Sequence, residues 1–135
     1  MTTWQEKALA LLPSLRETII DAENPMALWI DLYIELERAY ENDPPDDDLI
    51  ANIFRYAHWS EFEAGDNDGV QTAASLAFYE HLPTHAGVRA DLHNRITKDE
   101  FLKLKDLFRY FLEPDEYRAF EREFLASSER KTNRI

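Results

Sequence analysis

Residues 24–40 read NPMALWIDLYIELERAY, a segment with the pattern of an α-helix. Asn24 offers a side-chain oxygen for the N-cap, and Pro25 suits the first helical position, where no amide donor is needed. Apolar side chains then recur at steps of three and four residues, at Met26, Trp29, Tyr33, Leu36 and Tyr40. This spacing predicts a helix with one continuous apolar face, ending before residues 42–45, Asn-Asp-Pro-Pro.

Four further apolar residues widen that face. They are Leu28, Ile30, Leu32 and Ile34. Because a surface helix needs only one apolar stripe, the wider face predicts a central helix that is covered on more than one side.

Helix starts can also be located on either side of this segment. We assign capping boxes to Thr3-x-x-Glu6, Ser14-x-x-Glu17 and Thr97-x-x-Glu100. Pro13 falls between the first two boxes, which leaves either one kinked helix or two short ones. Further helices are expected to begin at the acidic triplet Asp46, Asp47 and Asp48, near residue 70 and at Pro114.

The remaining pattern is helical as well. We expect the helix from residue 70 to end near residue 82, because Pro83 follows. Phe101, Leu104, Phe108 and Phe111 have helical spacing and are expected in the core. No stretch alternates like a strand. The prediction is an all-α protein, a compact bundle of six to seven short helices, with one domain over residues 1–126 and a disordered tail over 127–135.

Charge is distributed unevenly along the 135 residues. The formal net charge is -12, and residues 1–68 carry 16 acidic against 4 basic side chains. The rest of the chain carries 11 of each. A strongly acidic half repels phosphate backbones, so nucleic-acid binding is not expected, whereas a basic partner would be attracted.

Several classes of site are not supported by the sequence. The chain has no cysteine, so disulfides, thiolate metal sites and cysteine nucleophiles are excluded. Residues 66–69, Asp-Asn-Asp-Gly, resemble a calcium loop, but Ala64 and Ser75 would then occupy two ligand positions. No histidine lies three residues after a glutamate, as helical di-metal sites require. We expect no catalytic residue, metal or cofactor.

The segment Tyr56 to Glu61 is a candidate interaction site. Tyr56, His58 and Trp59 are three large side chains within four residues, so at least one should be exposed on a helix. Packing against the N-terminal helix is the simpler interpretation. Together with Glu61 and the acidic triplet, these residues lead to the hypothesis of an acidic protein-binding module, such as an inhibitor or immunity-like protein, that holds a basic protein partner.

Three segments of the second half resemble small, all-helical bacterial proteins of unassigned function. They are residues 78–83 (FYEHLP), residues 96–101 (ITKDEF) and residues 107–112 (LFRYFL). The resemblance implies a helical fold and carries no known catalytic residues.

Two other functions remain open. One is a small-ligand or His/carboxylate enzyme site near His58, Glu61 and His81, although an interaction function is favoured over catalysis. The other is a homo-oligomer in which the aromatic side chains meet their own copies. Residues 1–6 do not resemble a signal peptide, and no apolar stretch reaches the ~20 residues of a membrane span, so we expect a cytoplasmic protein without membrane contact.

Overall fold

A computed structural model describes residues 1–132 of the chain. Of the structure, 79% is helical and no strand occurs among the described residues, which confirms the all-α prediction. The described part contains nine α-helices rather than six or seven. They are α1 (Thr3–Leu11), α2 (Arg16–Asp21), α3 (Pro25–Glu41), α4 (Asp47–Phe62), α5 (Val70–Ala77), α6 (Ala86–Asp91), α7 (Lys98–Lys103), α8 (Lys105–Arg109) and α9 (Pro114–Thr132).

The helix count differs because the chain breaks at two places within runs of helical spacing. Pro13 begins a 3₁₀ turn, Pro13–Leu15, that separates α1 from α2. Of the two arrangements left open, the structure therefore has two short helices, since proline cannot donate the amide that a continuous helix needs. A second break at Leu104 divides α7 from α8.

Most helix starts are formed by the expected residues. Asn24 accepts a hydrogen bond from the Ala27 amide at 2.8 Å, and Pro25 is the first residue of α3. At the start of α7, Thr97 and Glu100 form a reciprocal capping box. Because these bonds join residues only three positions apart, local sequence is enough to predict them.

The two capping boxes predicted at the N-terminus are wrong. Helix α1 is capped by Thr2, with Gln5 as the reciprocating residue, instead of by Thr3 and Glu6. Glutamine reciprocates in a capping box as glutamate does, so the neighbouring threonine can take the role. Ser14 does not cap α2, because it lies inside the 3₁₀ turn after Pro13, and the N-cap position of α2 has no side-chain hydrogen bond.

The chain divides into two compact units, residues 1–78 and residues 79–135, the second described as far as residue 132. We describe each unit separately, and the single domain over residues 1–126 stays a prediction. All of the formal net charge lies in the first unit, because residues 69–78 carry no charged side chain.

In the first unit, α3 packs against α4 and α5, while α1 packs against α2 and α4. The indole ring of Trp29 is fully buried between two aromatic rings, 5.1 Å from Tyr56 and 4.9 Å from Phe78. On the other hand, Ile30 and Ile34 of α3 are 50% and 41% exposed. The expectation that α3 is also covered on this side is therefore wrong.

In the second unit, a 3₁₀ segment, Tyr79–Thr84, packs against α6 and α8. Helix α5 ends at Ala77, before the expected residue 82, and Pro83 lies inside the 3₁₀ segment. Phe101 is at the centre of the core, where its ring stacks on Phe124 at 4.3 Å.

Phe111 is the exception among the predicted core aromatics of this unit. Its side chain is 49% exposed. Helix α8 ends at Arg109, and the chain turns immediately afterwards, so the helical spacing that placed Phe111 beside Phe108 does not continue that far.

Helix α9 runs to Thr132, so Ser127 to Thr132, in the predicted tail, are helical in the structure. Residues 133–135 lie outside the described residues, and for them disorder stays a prediction. No helix within residues 1–132 has the length and apolar character to cross a bilayer.

Candidate functional site

Every residue of the predicted interaction site lies on α4 except Asp46, which is the N-cap residue of that helix. The acidic triplet is at its beginning and Glu61 is near its end. With a rise of 1.5 Å per residue, Asp48 and Glu61 are about 20 Å apart along the helix axis. The structure therefore places the predicted acidic residues at opposite ends of one helix, and they do not form one patch.

The acidic triplet has a local structural role. Asp46 is the N-cap of α4, and its carboxylate accepts a hydrogen bond from the Leu49 amide at 3.2 Å. Asp47 and Asp48 occupy the first helical turn, where the positive end of the helix dipole favours carboxylates. All three residues are exposed.

The three large side chains of α4 differ in exposure. Tyr56 is fully buried, and its hydroxyl donates a hydrogen bond to the Trp4 carbonyl oxygen at 3.0 Å. Burial raises the pKa of this hydroxyl well above its usual range. His58 is exposed, which confirms that at least one of the three faces solvent. Trp59 is half-buried, with the Lys7 ammonium 5.9 Å from its ring centre.

The residues of the alternative enzyme site have separate surroundings. Glu61 accepts a hydrogen bond from the Ser75 hydroxyl at 2.7 Å. Burial raises the pKa of the Glu61 carboxyl, an effect that the Ser75 hydrogen bond opposes. The His58 ring packs 5.2 Å from Phe62. His81 belongs to the second unit, where its ring stacks on Phe111 at 4.8 Å. Within residues 1–132, no group of three or more His, Asp or Glu side chains is arranged to hold a metal ion.

The calcium-like loop is a helix-capping structure. Asp66 accepts hydrogen bonds from both the amide and the hydroxyl of Thr72, at 3.0 and 2.7 Å. These bonds hold the pKa of the Asp66 carboxyl below its usual range. Asp68 accepts from the Val70 amide at 3.1 Å. Gly69 precedes α5 with a φ of 85°, a conformation that favours glycine.

A different group of carboxylates shares a groove in the first unit. The groove lies between α2 and α3 and has a volume of about 560 Å³. Its charged lining comprises five carboxylates and one guanidinium, from Glu17, Asp21, Glu23, Asp31, Glu35 and Arg38. The guanidinium of Arg38 bonds Glu35 at 3.1 Å. The groove therefore carries an excess of negative charge, and we call it the acidic groove.

Exposed aliphatic side chains accompany the acidic groove. Ile34 contributes to its lining, and Ile30 lies one helical turn away on α3. Ile20 of α2 is 44% exposed. Exposed isoleucines beside ionised groups give this surface both apolar and electrostatic binding capacity.

Sequence reasoning missed the acidic groove, although part of its signal is visible. Glu17 and Asp21 are four residues apart, as are Asp31 and Glu35, so each pair lies on one face of its helix. Which two helices pack side by side is a tertiary property, however, and no local pattern predicted that α2 and α3 would bring the two pairs together.

Comparisons with known proteins identify no relative. No family model matches the chain, and no curated protein or solved structure matches it either. This outcome agrees with the resemblance to helical proteins of unassigned function, which carries no activity. The proposed function therefore rests on the surface chemistry of the chain.

Proposed function

We propose that the first unit is an acidic protein-binding module that holds a basic segment of a partner protein in the acidic groove. The observation that carries the proposal is the lining of that groove, in which five carboxylates face one guanidinium. Because Arg38 already bonds Glu35, most of the negative charge is left for a partner.

The electrostatics favour association with a basic surface. The first unit carries the whole formal charge of -12, so its field attracts a cationic partner from a distance and accelerates encounter. Ile30 and Ile34 add apolar area beside the charges. An amphipathic helix with one basic and one apolar face matches this combination. An inhibitor or immunity-like protein that neutralises a basic toxin is the concrete form of the proposal.

A synthetic amphipathic helix provides a direct test. The probe is a lysine–leucine peptide of about 14 residues, or four helical turns, with the lysines on one face. A peptide of the same composition in scrambled order serves as its control. Calorimetric titration at low and high salt measures the affinity, and amide chemical shifts of the protein locate the bound peptide. We expect saturable binding that weakens with salt, with shifts at Ala27, Asp31 and Ile34.

Two matched double variants separate the acidic groove from the acidic triplet. The variant D21N/D31N removes two charges from the groove, and D47N/D48N removes two from the start of α4. We expect the groove variant to weaken peptide binding about fivefold, since exposed charge pairs contribute up to about 1 kcal/mol together. The other variant should bind like the unmodified chain. Equal losses in both variants, or no preference over the scrambled peptide, would contradict the proposal.

The alternative function, a small-ligand or enzyme site, has one supporting observation. The half-buried Glu61 carboxyl has a raised pKa and accepts a hydrogen bond from a serine hydroxyl, as some general acids do. A thermal-shift screen with divalent metals and metabolites tests it, because a ligand that binds the native state raises the unfolding temperature. Self-association through aromatic side chains is tested by gel filtration over a range of protein concentrations.

A further inference from the structure

We propose that the second unit contains a binding groove for an oligophosphate, formed between α6 with its following 3₁₀ turn and the C-terminal half of α9. This site is independent of the acidic groove and of the partner proposed for it. The ligand class follows from the charges, spacing and small side chains along the groove.

Three elements build the groove. Helix α9 packs against α6 and against the 3₁₀ turn, Leu92–Asn94, that follows α6. Between them lies a depression of about 520 Å³, with the buried ring of Phe124 in its lining. A second depression of about 340 Å³ shares His93, Ser127 and Arg130 with the first and extends to Lys131. The two depressions together form one elongated surface, here called the basic groove.

The charge of the basic groove is opposite to that of the whole chain. Among the described residues that line it, four are Lys or Arg and one, Glu123, is acidic. That carboxylate is bound by the Arg89 guanidinium through two hydrogen bonds, of 2.7 and 3.0 Å. The Arg122 charge also acts on Glu123, so this one carboxylate faces two guanidiniums, and Arg130 and Lys131 add two further positive charges to the groove.

Helix stabilisation accounts for only part of this pattern. Arg130 and Lys131 lie in the last turn of α9, where cations interact favourably with the helix dipole. Arg122 lies two turns earlier, beyond the reach of that effect, yet it lines the same groove. Arg130 donates a hydrogen bond to the Ser127 hydroxyl at 3.2 Å, and this neutral partner does not balance its charge.

Spacing indicates the shape of the ligand. Arg122 and Arg130 are eight residues apart on one face of α9, which separates their backbones by about 12 Å. Ala126 lies between them and Ala90 lines the opposite wall, so short side chains leave the middle of the groove open. A row of anionic groups would contact a cation at each end, whereas a single small anion would reach only one.

The polar groups favour phosphate as the repeated anion. A guanidinium presents paired N–H donors that match the oxygens of a phosphate group. The His93 imidazole adds an N–H donor on the wall that faces α9, and the Asn94 amide, which donates one N–H to Asp91 at 2.8 Å, has a second. Phe124 is 3% exposed and offers no ring face to a nucleobase. The groove therefore suits the phosphate chain itself, whether it is free or part of a nucleoside triphosphate.

Titration of the full-length chain with sodium tripolyphosphate tests the proposal. We expect saturable changes in the amide chemical shifts of Ala90, His93, Ser127 and Arg130. These changes should become smaller as salt is added, because salt screens the charges. Titrations with ATP and adenosine distinguish the sources of the ligand. Shifts with ATP equal to those with tripolyphosphate, and none with adenosine, would support recognition of the phosphate chain. Shifts with adenosine alone would overturn it.

Arginine variants give the decisive comparison. The double variant R122A/R130A should bind tripolyphosphate about tenfold more weakly or worse, because it removes both guanidinium contacts. The control R16A/R55A removes the same charge from two exposed arginines of the first unit and should leave the affinity unchanged. Circular dichroism verifies that both variants are folded. Equal affinities of the two variants, or the absence of saturable shifts in the unmodified chain, would overturn the proposal.

Discussion

The hydroxyl of Tyr56 donates a hydrogen bond to the carbonyl oxygen of Trp4, 52 positions earlier in the chain, at a distance of 3.0 Å. The bond is buried, and it joins α4 to the first turn of α1. Tyr56 also stacks on Trp29 of α3, so one side chain connects three helices of the first unit. The residue considered as a surface anchor is thus a central element of the packing.

Replacing Tyr56 with phenylalanine should destabilise the protein by about 1 kcal/mol, the usual net value of a buried hydrogen bond. The ring contacts are kept, so the loss reports on the hydroxyl alone. Urea denaturation followed by tryptophan fluorescence measures it. Y110F is the matched control, because Tyr110 is 69% exposed and should lose little. An unchanged midpoint in Y56F would show that this hydrogen bond does not stabilise the fold.

Asp46 should contribute more to stability than its acidic neighbours. The variant D46A removes the hydrogen bond to the Leu49 amide and should lower the free energy of unfolding by about 1 kcal/mol. In contrast, D46N keeps a capping oxygen and should be nearly neutral. The measurement is the denaturation midpoint of D46A, D46N and D48A. If D48A lost as much as D46A, charge rather than capping would be responsible.

The pair of Arg89 and Glu123 should make stability depend on pH in the acidic range. The hydrogen bonds from Arg89 hold the pKa of the Glu123 carboxyl below its usual range. Because the unfolded chain then binds protons more readily, the pair stabilises the native state at neutral pH and loses this effect as pH falls through the lowered pKa. We expect the free energy of unfolding of E123Q to be lower than that of the unmodified chain at pH 7, by up to about 1 kcal/mol. Thermal melts should show the gap closing in acid, whereas E129Q should show none.

Glu61 should make stability depend on pH in the opposite direction. Burial raises the pKa of its carboxyl, so the ionised form destabilises the native state once pH rises through the raised value. The variant E61Q keeps an oxygen that can accept from Ser75 and has no charge to desolvate. We expect E61Q to melt above the unmodified chain at pH 7 and to match it in acid. E63Q, an exposed glutamate at the end of the same helix, is the control. A lower melting temperature of E61Q at pH 7 would contradict this assignment.

Local sequence located several helix starts but not all of them, and it was a poorer guide to helix ends. The caps at Asn24 and Thr97 were predicted, and the cap of α4 belongs to the acidic triplet predicted to begin that helix, because each cap depends on a side chain and an amide three residues later. The caps predicted at Thr3 and Ser14 were wrong. Phe111 was wrongly assigned to the core, since its spacing continues a pattern after the helix itself has ended. Periodicity describes a helix only as far as the backbone remains helical.

The candidate site depends on tertiary structure even more than the helix boundaries do. The sequence alone established the helical fold class and the location of the negative charge in the first part of the chain. It could not show that Asp48 and Glu61 are about 20 Å apart along one helix, or that Tyr56 is buried.

The acidic groove and the basic groove both arise from the packing of helices that are separated in the chain. Arg89 and Glu123, for example, are 34 residues apart, yet they form an ion pair in which Arg89 neutralises the acidic side chain of the basic groove. Helix capping and helix periodicity act over three or four residues and are therefore written in the local sequence. A groove depends on which helix faces pack together, a choice made by the burial of the whole core.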